Sequence, residues 1–296
     1  MNGVPESLGS VEGAVYDLVL DGNDVYATGY EITSGSDRIA RVWKNGVPQT
    51  LPAATSYASG EQIAVSNGKV YVLGYETFMY QTALWIDGVK QTGQLPEHPY
   101  NSGNQNVGLW VAGNDVYTCG VAKNPAGMYK IMLLKNGGRM AVDTLANKES
   151  GAERLFVSGA DVYLMGYEHD GSASADNSRL WKNGLKQNLA NVPADYSGVD
   201  LFVEGSDVYV TGVDKSIPGF KNQLITWKSG SISQRIKMDG LSLNASDMKV
   251  SKGNVYIAGQ RESTPQDIGM LWVNGSGQAL TDGSKSFSVS SVAVRN

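Results

Sequence analysis

One short pattern recurs six times along this chain of 296 residues, and it narrows the fold more than any other feature. Self-similarity at a fixed period marks a repeat architecture in which each repeat is one supersecondary unit. The pattern sets a tyrosine three residues before a glycine: Asp24-Val25-Tyr26 before Gly29, Lys69-Val70-Tyr71 before Gly74, Asp115-Val116-Tyr117 before Gly120, Asp161-Val162-Tyr163 before Gly166, Asp207-Val208-Tyr209 before Gly212, and Asn254-Val255-Tyr256 before Gly259. Successive tyrosines are 45, 46, 46, 46 and 47 residues apart. A second mark follows each glycine by 11 to 15 residues: Trp43-Lys44-Asn45-Gly46, Trp85-Ile86-Asp87-Gly88, Leu134-Lys135-Asn136-Gly137, Trp181-Lys182-Asn183-Gly184, Trp227-Lys228-Ser229-Gly230 and Trp272-Val273-Asn274-Gly275.

Each period reads as four short strands, A to D. In residues 153–190, Leu155-Phe156-Val157 is strand A and Ser158-Gly159-Ala160 turns it. Asp161 to Tyr167 alternates as strand B, a polar stretch from Glu168 to Asn177 follows, and Arg179-Leu180-Trp181 is strand C. Asn183-Gly184 is a two-residue hairpin turn, since both central residues of a type I′ turn need positive φ. Strand D then runs from Leu185 to Leu189. Gly and Pro punctuate every period too often for a helix.

Four strands every ~40–50 residues predict an all-β chain, a β-propeller of four-stranded antiparallel blades. One such sheet cannot cover both its faces, and radial stacking of blades does so. The tyrosines of strand B and the tryptophans of strand C are then inter-blade packing. The strand order resembles that of WD40-type propellers, with Trp-Lys-Asn-Gly where that family's Trp-Asp ends strand C. The fuller pattern, Asp-Val-Tyr-x-x-Gly-Tyr-Glu … Leu-Trp-Lys-Asn-Gly, resembles propeller repeats of bacterial envelope and secreted proteins. The resemblance spans essentially residues 1–296 as a single propeller domain, and it implies an extracellular or cell-envelope origin. No blade has the Gly-His pair of the WD40 family, so scaffold functions of that family do not carry over.

The ends leave surplus strands. Asn2-Gly3-Val4-Pro5 matches Asn45-Gly46-Val47-Pro48, so residues 1–10 read as a strand D remnant ahead of six repeats over 11–285. Phe287 to Val294, within 286–296, reads as a further strand A. Six blades are favoured, with a seven-blade-like arrangement open. Unpaired terminal strands are pairing templates, which allows a homo-oligomer.

Composition excludes several classes. Lys+Arg is 24 against Asp+Glu 29, a net charge of −5 with no basic run, which argues against a nucleic-acid surface. No apolar run reaches the ~18 residues of a membrane span. The lone Cys119 forbids an intrachain disulfide and reads as a buried small residue. Neither a calcium-loop motif nor a nucleophile elbow occurs, and no metal or cofactor is expected.

Strand order sets the constant A–B and C–D hairpins on one rim and the variable B–C and D–A segments on the other. Divergent loops on a constant scaffold are where binding usually lives. Rim aromatics Tyr57, Phe78, Tyr80, Tyr100, Tyr196 and Phe220 are candidate stacking groups for a sugar or a protein partner. Glu31, Glu76, Glu168 and Asp214 end strands B on the same rim and are candidate ligands for sugar hydroxyls. The leading expectation is a non-enzymatic binding or scaffold propeller for glycan or protein. The alternatives are a glycoside hydrolase or lyase using rim carboxylates, and a truncated or engineered propeller that self-associates without a ligand.

Overall fold

The structure, a computed structural model, describes residues 8, 12–33, 35, 37–53, 57–76, 81–91, 108–169, 176–193, 195–216, 222–237, 241–262, 266–285 and 287–294. Among them, 24 strands form six four-stranded antiparallel blades, each ordered as the chain runs. The first blade is β1 (Gly13–Asp21), β2 (Asp24–Ile32), β3 (Arg38–Lys44) and β4 (Val47–Thr50). The second is β5 (Ala58–Ser66), β6 (Lys69–Glu76), β7 (Gln81–Ile86) and β8 (Val89–Lys90). The third is β9 (Gly108–Ala112), β10 (Asp115–Lys123), β11 (Tyr129–Lys135) and β12 (Gly138–Met140). The fourth is β13 (Ser150–Ser158), β14 (Asp161–His169), β15 (Asp176–Lys182) and β16 (Leu185–Gln187). The fifth is β17 (Tyr196–Glu204), β18 (Asp207–Asp214), β19 (Gln223–Lys228) and β20 (Ser231–Ile236). The sixth is β21 (Leu243–Ser251), β22 (Asn254–Arg261), β23 (Ile268–Val273) and β24 (Ser276–Ala279). The first three blades fall in one compact unit and the last three in a second, which also takes Met128–Lys130.

Every letter of the repeat has a local reason. Asn183 (φ 51°) and Gly184 (φ 78°) form the left-handed pair of the C–D turn, and equivalent pairs recur in all six blades. Asn183 Oδ1 accepts the Val162 N–H at 2.8 Å, and its Nδ2 donates to Asp161 Oδ1 at 2.8 Å. Lys182 Nζ lies 2.7 Å from Asp161 Oδ2 and 5.3 Å from the Tyr163 ring centroid. The same knot ties Asp24, Tyr26, Lys44 and Asn45, and again Asp115, Tyr117, Lys135 and Asn136. These pairs are exposed, so they contribute direction to the hairpin more than stability.

The motif glycine answers a different need. A Cβ on Gly166 would sit 2.1 Å from the Gly151 carbonyl oxygen across the A–B ladder. Gly29, Gly74 and Gly259 face the same obstruction at 1.9, 2.0 and 2.1 Å. Opposite each of them, strand A slips register: between Val15 and Asp17, Gly60 and Gln62, Ala152 and Arg154, and Ala245 and Asp247. The fifth blade slips likewise, between Gly198 and Asp200. One extra residue per strand bends it and re-aims its side chains.

Within each unit, successive blades pack face to face. Tyr26, Val42 and Leu51 of the first blade meet Ile63, Val72 and Trp85 of the second, all buried. Tyr209, Val213 and Leu224 of the fifth meet Met248, Ile257 and Trp272 of the sixth. The indoles also fasten blades by hydrogen bonds. Trp85 Nε1 donates to the Pro52 carbonyl in the linker between β4 and β5, at 2.7 Å. Trp181 donates to Asp143 and Trp227 to Ala190, each at 2.7 Å and each in the linker that enters its own blade.

A second link between blades was not foreseen from sequence. Just after the bulge, an acidic or amide side chain of strand A reaches the next strand A. Asp17 Oδ2 accepts the Ile63 N–H at 3.1 Å, Gln62 Oε1 the Leu109 N–H at 2.6 Å, and Asp200 Oδ2 the Met248 N–H at 2.8 Å. Asp247 extends the series to the C-terminal segment. Its Oδ2 accepts from the Val292 N–H and the Ser291 hydroxyl, both at 2.7 Å. The expected C-terminal strand A, Phe287 to Val294, forms no strand and is tied to β21 through these two bonds. The expected N-terminal strand D lies outside the described residues, apart from Leu8. Cys119 is fully buried in β10.

Two substitutions test this packing by urea denaturation. Trp181→Ala should destabilise by about 3–5 kcal/mol, through an emptied aromatic site and an orphaned carbonyl. Gly166→Ala should cost about 1–3 kcal/mol or more, because backbone stands where the methyl must go. A loss under about 1 kcal/mol in both would contradict the interlock.

Candidate ligand site on the first two blades

The acids predicted for the rim are engaged and largely buried. Glu31 Oε2 pairs with Arg41 Nε at 2.6 Å, Glu76 with Lys90 Nζ at 2.5 Å, and Glu168 with Lys186 Nζ at 2.5 Å. Glu168 also accepts the Leu145 N–H at 2.8 Å. Asp214 accepts from the Ser216 hydroxyl at 2.5 Å and lies 3.8 Å from Arg235 Nη1. In each case the end of strand B is tied by its acid to strand C or D of its own blade. These carboxylates brace the rim from within.

The predicted aromatics divide. Phe78, Tyr80, Tyr100 and Phe220 lie outside the described residues. Tyr196 is core: it is 2% exposed and packs edge-on against Trp227, ring centroids 4.8 Å apart. Tyr57 stands on the rim, half-buried, just before β5.

Tyr57 belongs to a cluster that the sequence reading missed. Arg38, the first residue of β3, forms a parallel bridge with Tyr57 and so joins the first two blades at the rim. Its guanidinium carbon lies 4.5 Å from the Tyr30 ring centroid and 4.9 Å from that of Tyr57. Arg38 Nη1 donates to the Tyr75 hydroxyl at 3.5 Å. Tyr57 and Tyr75 are tilted together at 6.1 Å, and Tyr16 and Tyr30 at 5.9 Å. Glu61 and Tyr16 are the extra residues of the bulges in β5 and β1, and both turn toward this group. All six side chains are half-buried and belong to one compact unit.

The electrostatics are unusual for a rim. Burial pushes the Glu61 carboxyl up to about 7, against the weaker pull of a Ser59 hydrogen bond and the Arg38 charge. Burial, and then the Glu61 charge, push the Tyr75 phenol up to about 12 and the Tyr16 phenol higher still. Among the described residues, Arg38 has no carboxylate within ion-pair distance, whereas Arg41, Arg154, Arg179 and Arg235 each have one. Four tyrosines, one arginine and one carboxyl that ionises near neutrality thus share a small patch. One signal could have revealed it: only the first two blades carry tyrosine after the motif glycine in succession, Tyr30 and Tyr75.

A second polar cluster lies in the other unit. Asp200 and Asp247 are hydrogen-bonded to each other, with Lys249 Nζ 2.7 Å from Asp247 Oδ1 and Arg154 Nε 3.5 Å from Asp200 Oδ1. Burial pushes Asp200 up to about 7, and the neighbouring Asp247 adds to the rise. Burial acts on Asp247 in the same sense, but Lys249 and its hydrogen bonds hold it below the usual range. The pair's oxygens already accept backbone N–H groups of Leu201, Met248 and Val292, so it is an inter-blade latch. Among the described residues, no group of three or more metal-ligating side chains converges.

No protein-family model matches the chain, and no curated protein is similar to it in sequence. Solved structures do resemble it. Extracellular domains 1–2 of Drosophila Semaphorin 1a superpose with a TM-score of 0.54 at 11% identity, over 97% of this chain and 84% of that one. The β-propeller domain of the Trilobed protease from Pyrococcus furiosus, described as having an open velcro topology, gives 0.51 at 10% identity, over 92% and 96%. The acylaminoacyl peptidase of Pyrococcus horikoshii gives 0.52 at 11% identity over 92% of this chain, which spans about half, 52%, of that protein. Likeness at this identity speaks to fold alone: the chain is a six-bladed, all-β propeller.

Proposed function

We propose that this propeller is a non-catalytic recognition module that binds a glycan on the B–C/D–A rim, at the cluster of Tyr16, Tyr30, Arg38, Tyr57, Glu61 and Tyr75. The observation that carries the reading is the set of four half-buried tyrosine rings held around one guanidinium at a blade junction. Tyrosine offers a flat apolar face with a polar edge, which suits a sugar's C–H face and hydroxyls. The rings are locked by neighbours, so little side-chain entropy is lost when a ligand docks. Glycans are displayed outside the cytoplasm, which agrees with an envelope or secreted origin.

Hydrolysis by rim carboxylates is the weaker reading. It needs two carboxyls ~5–9.5 Å apart, one of them available to water or to the anomeric carbon. Glu31, Glu76, Glu168 and Asp214 are committed to cations or hydroxyls of their own blades. Asp200 and Asp247 are in direct hydrogen-bond contact, closer than either mechanism allows.

A glycan array followed by calorimetry tests the proposal. Tyr57→Ala and Tyr75→Ala should each weaken binding about tenfold or more, with the melting curve unchanged. Lys44→Ala, in the hairpin knot at the other end of the first blade's strands, should leave affinity as it was. Loss of binding in Lys44→Ala but not in the tyrosine variants would reverse the assignment of the face.

A further inference from the structure

Arg38 is the observation that reaches furthest. The other rim cations that pair with acids are spent on their own blades: Arg41 on Glu31, Lys90 on Glu76, Lys186 on Glu168 and Arg235 on Asp214. Arg38 instead lies over the rings of Tyr30 and Tyr57 and gives one N–H to the Tyr75 hydroxyl. A guanidinium has five N–H donors in a rigid fork, and that fork matches the two oxygens of a carboxylate or sulfate. Stacking on rings fixes the plane of the fork while leaving donors at its edge. The nearby acid, Glu61, stays outside ion-pair distance of Arg38 among the described contacts.

Resting on the glycan reading above, we infer that this cluster takes a sugar bearing an oxyanion, a uronate carboxylate or a sulfate ester, which docks on the guanidinium of Arg38. Protonated Glu61 can donate to the ligand. Ionised, it repels the incoming anion and competes for Arg38. The groups that face Glu61 are Tyr16 from β1, Arg38 from β3 and Tyr75 from β6, with Ser59 on its own strand. Both tyrosines stay neutral across the physiological range, so Glu61 is the group of this cluster that changes charge there. The sign follows from linkage: a ligand that prefers the protonated carboxyl binds more weakly as pH rises through the carboxyl's titration near 7. For full coupling, the loss between about pH 6 and about pH 8 is roughly tenfold.

Calorimetry on the full chain tests this with a galacturonic acid trisaccharide, a sulfated galactose disaccharide, the desulfated disaccharide and sodium sulfate. The uronate and the sulfate ester keep their charge from about pH 6 to about pH 8, so any slope belongs to the protein. At least one acidic sugar should bind, and its neutral counterpart should bind at least about tenfold more weakly. Affinity should fall roughly tenfold between the two pH values, and Glu61→Gln should bind with no such slope. Arg38→Ala should abolish binding. Arg38→Lys, which keeps the charge and loses the planar fork, should lose most of it, with melting curves confirming that both variants fold. Neutral sugar binding as tightly as acidic sugar would overturn the oxyanion inference and leave the glycan reading standing, as would a pH slope that survives in Glu61→Gln. Sulfate binding at Arg38 with no gain from any sugar would uphold the oxyanion site and overturn the glycan reading. Binding by none of the probes would overturn both.

Discussion

Each blade of this protein is a four-stranded sheet with two apolar faces, and a sheet that thin cannot bury both by itself. Its neighbour must cover them, so the contact between blades is the constraint on which the structure rests. The sequence meets it twice in the second, fourth and fifth repeats. The strand B tyrosine and strand C tryptophan supply area, and Trp85, Trp181 and Trp227 are fully buried. The indole N–H then donates to a carbonyl in the linker that enters its blade, at 2.7 Å in all three cases. Apolar burial alone tolerates sliding, at ~25 cal/mol per Å² in any register. A buried donor without its acceptor costs about 1–3 kcal/mol. The tryptophan thereby sets the position of a blade as well as its stability.

The rim site follows from that same repeat. A bulge in strand A, opposite the motif glycine, inserts one residue and turns it out of the ladder. In the fourth blade this residue is Glu153, in the fifth Val199 and in the sixth Ser246. In the first two it is Tyr16 and Glu61. The residue after the motif glycine is also tyrosine in both, Tyr30 and Tyr75. Arg38 enters between them from the start of β3. A structural irregularity shared by five blades thus becomes a chemical site where two neighbours happen to carry aromatic, acidic and basic groups together.

How much of this was readable beforehand depends on range. The strands and the hairpins follow from a period-two pattern and Asn-Gly turns, both local, whereas the blade count stood open between six and a seven-blade-like arrangement until the six sheets were seen. In the fourth blade, strand B begins at Asp161 and strand D at Leu185 as read. Strand A runs from Ser150, well before the expected Leu155, because the bulge breaks the alternation that marks a strand. The site was legible only at Tyr57. Glu31, Glu76, Glu168 and Asp214 looked like an open acidic rim, since a sequence does not show that Arg41, Lys90, Lys186 and Ser216 fold back on them. Tyr196 looked like a loop aromatic, yet it begins β17 and lies against Trp227. The Arg38 cluster joins residues from two repeats, and its contacts arise only once the blades stack.

The most direct measurement of the central claim is a residue-resolved NMR titration of the folded chain with an acidic oligosaccharide. If the rim at the first two blades is the binding face, the Arg38 Nε–H resonance and the ring resonances of Tyr57 and Tyr75 should move together and saturate at one ligand per chain. The Lys44 and Tyr26 resonances, at the hairpin end of the first blade, should stay fixed. Shifts that gather at Lys44 and Tyr26 while Arg38 and Tyr57 remain still would contradict the account.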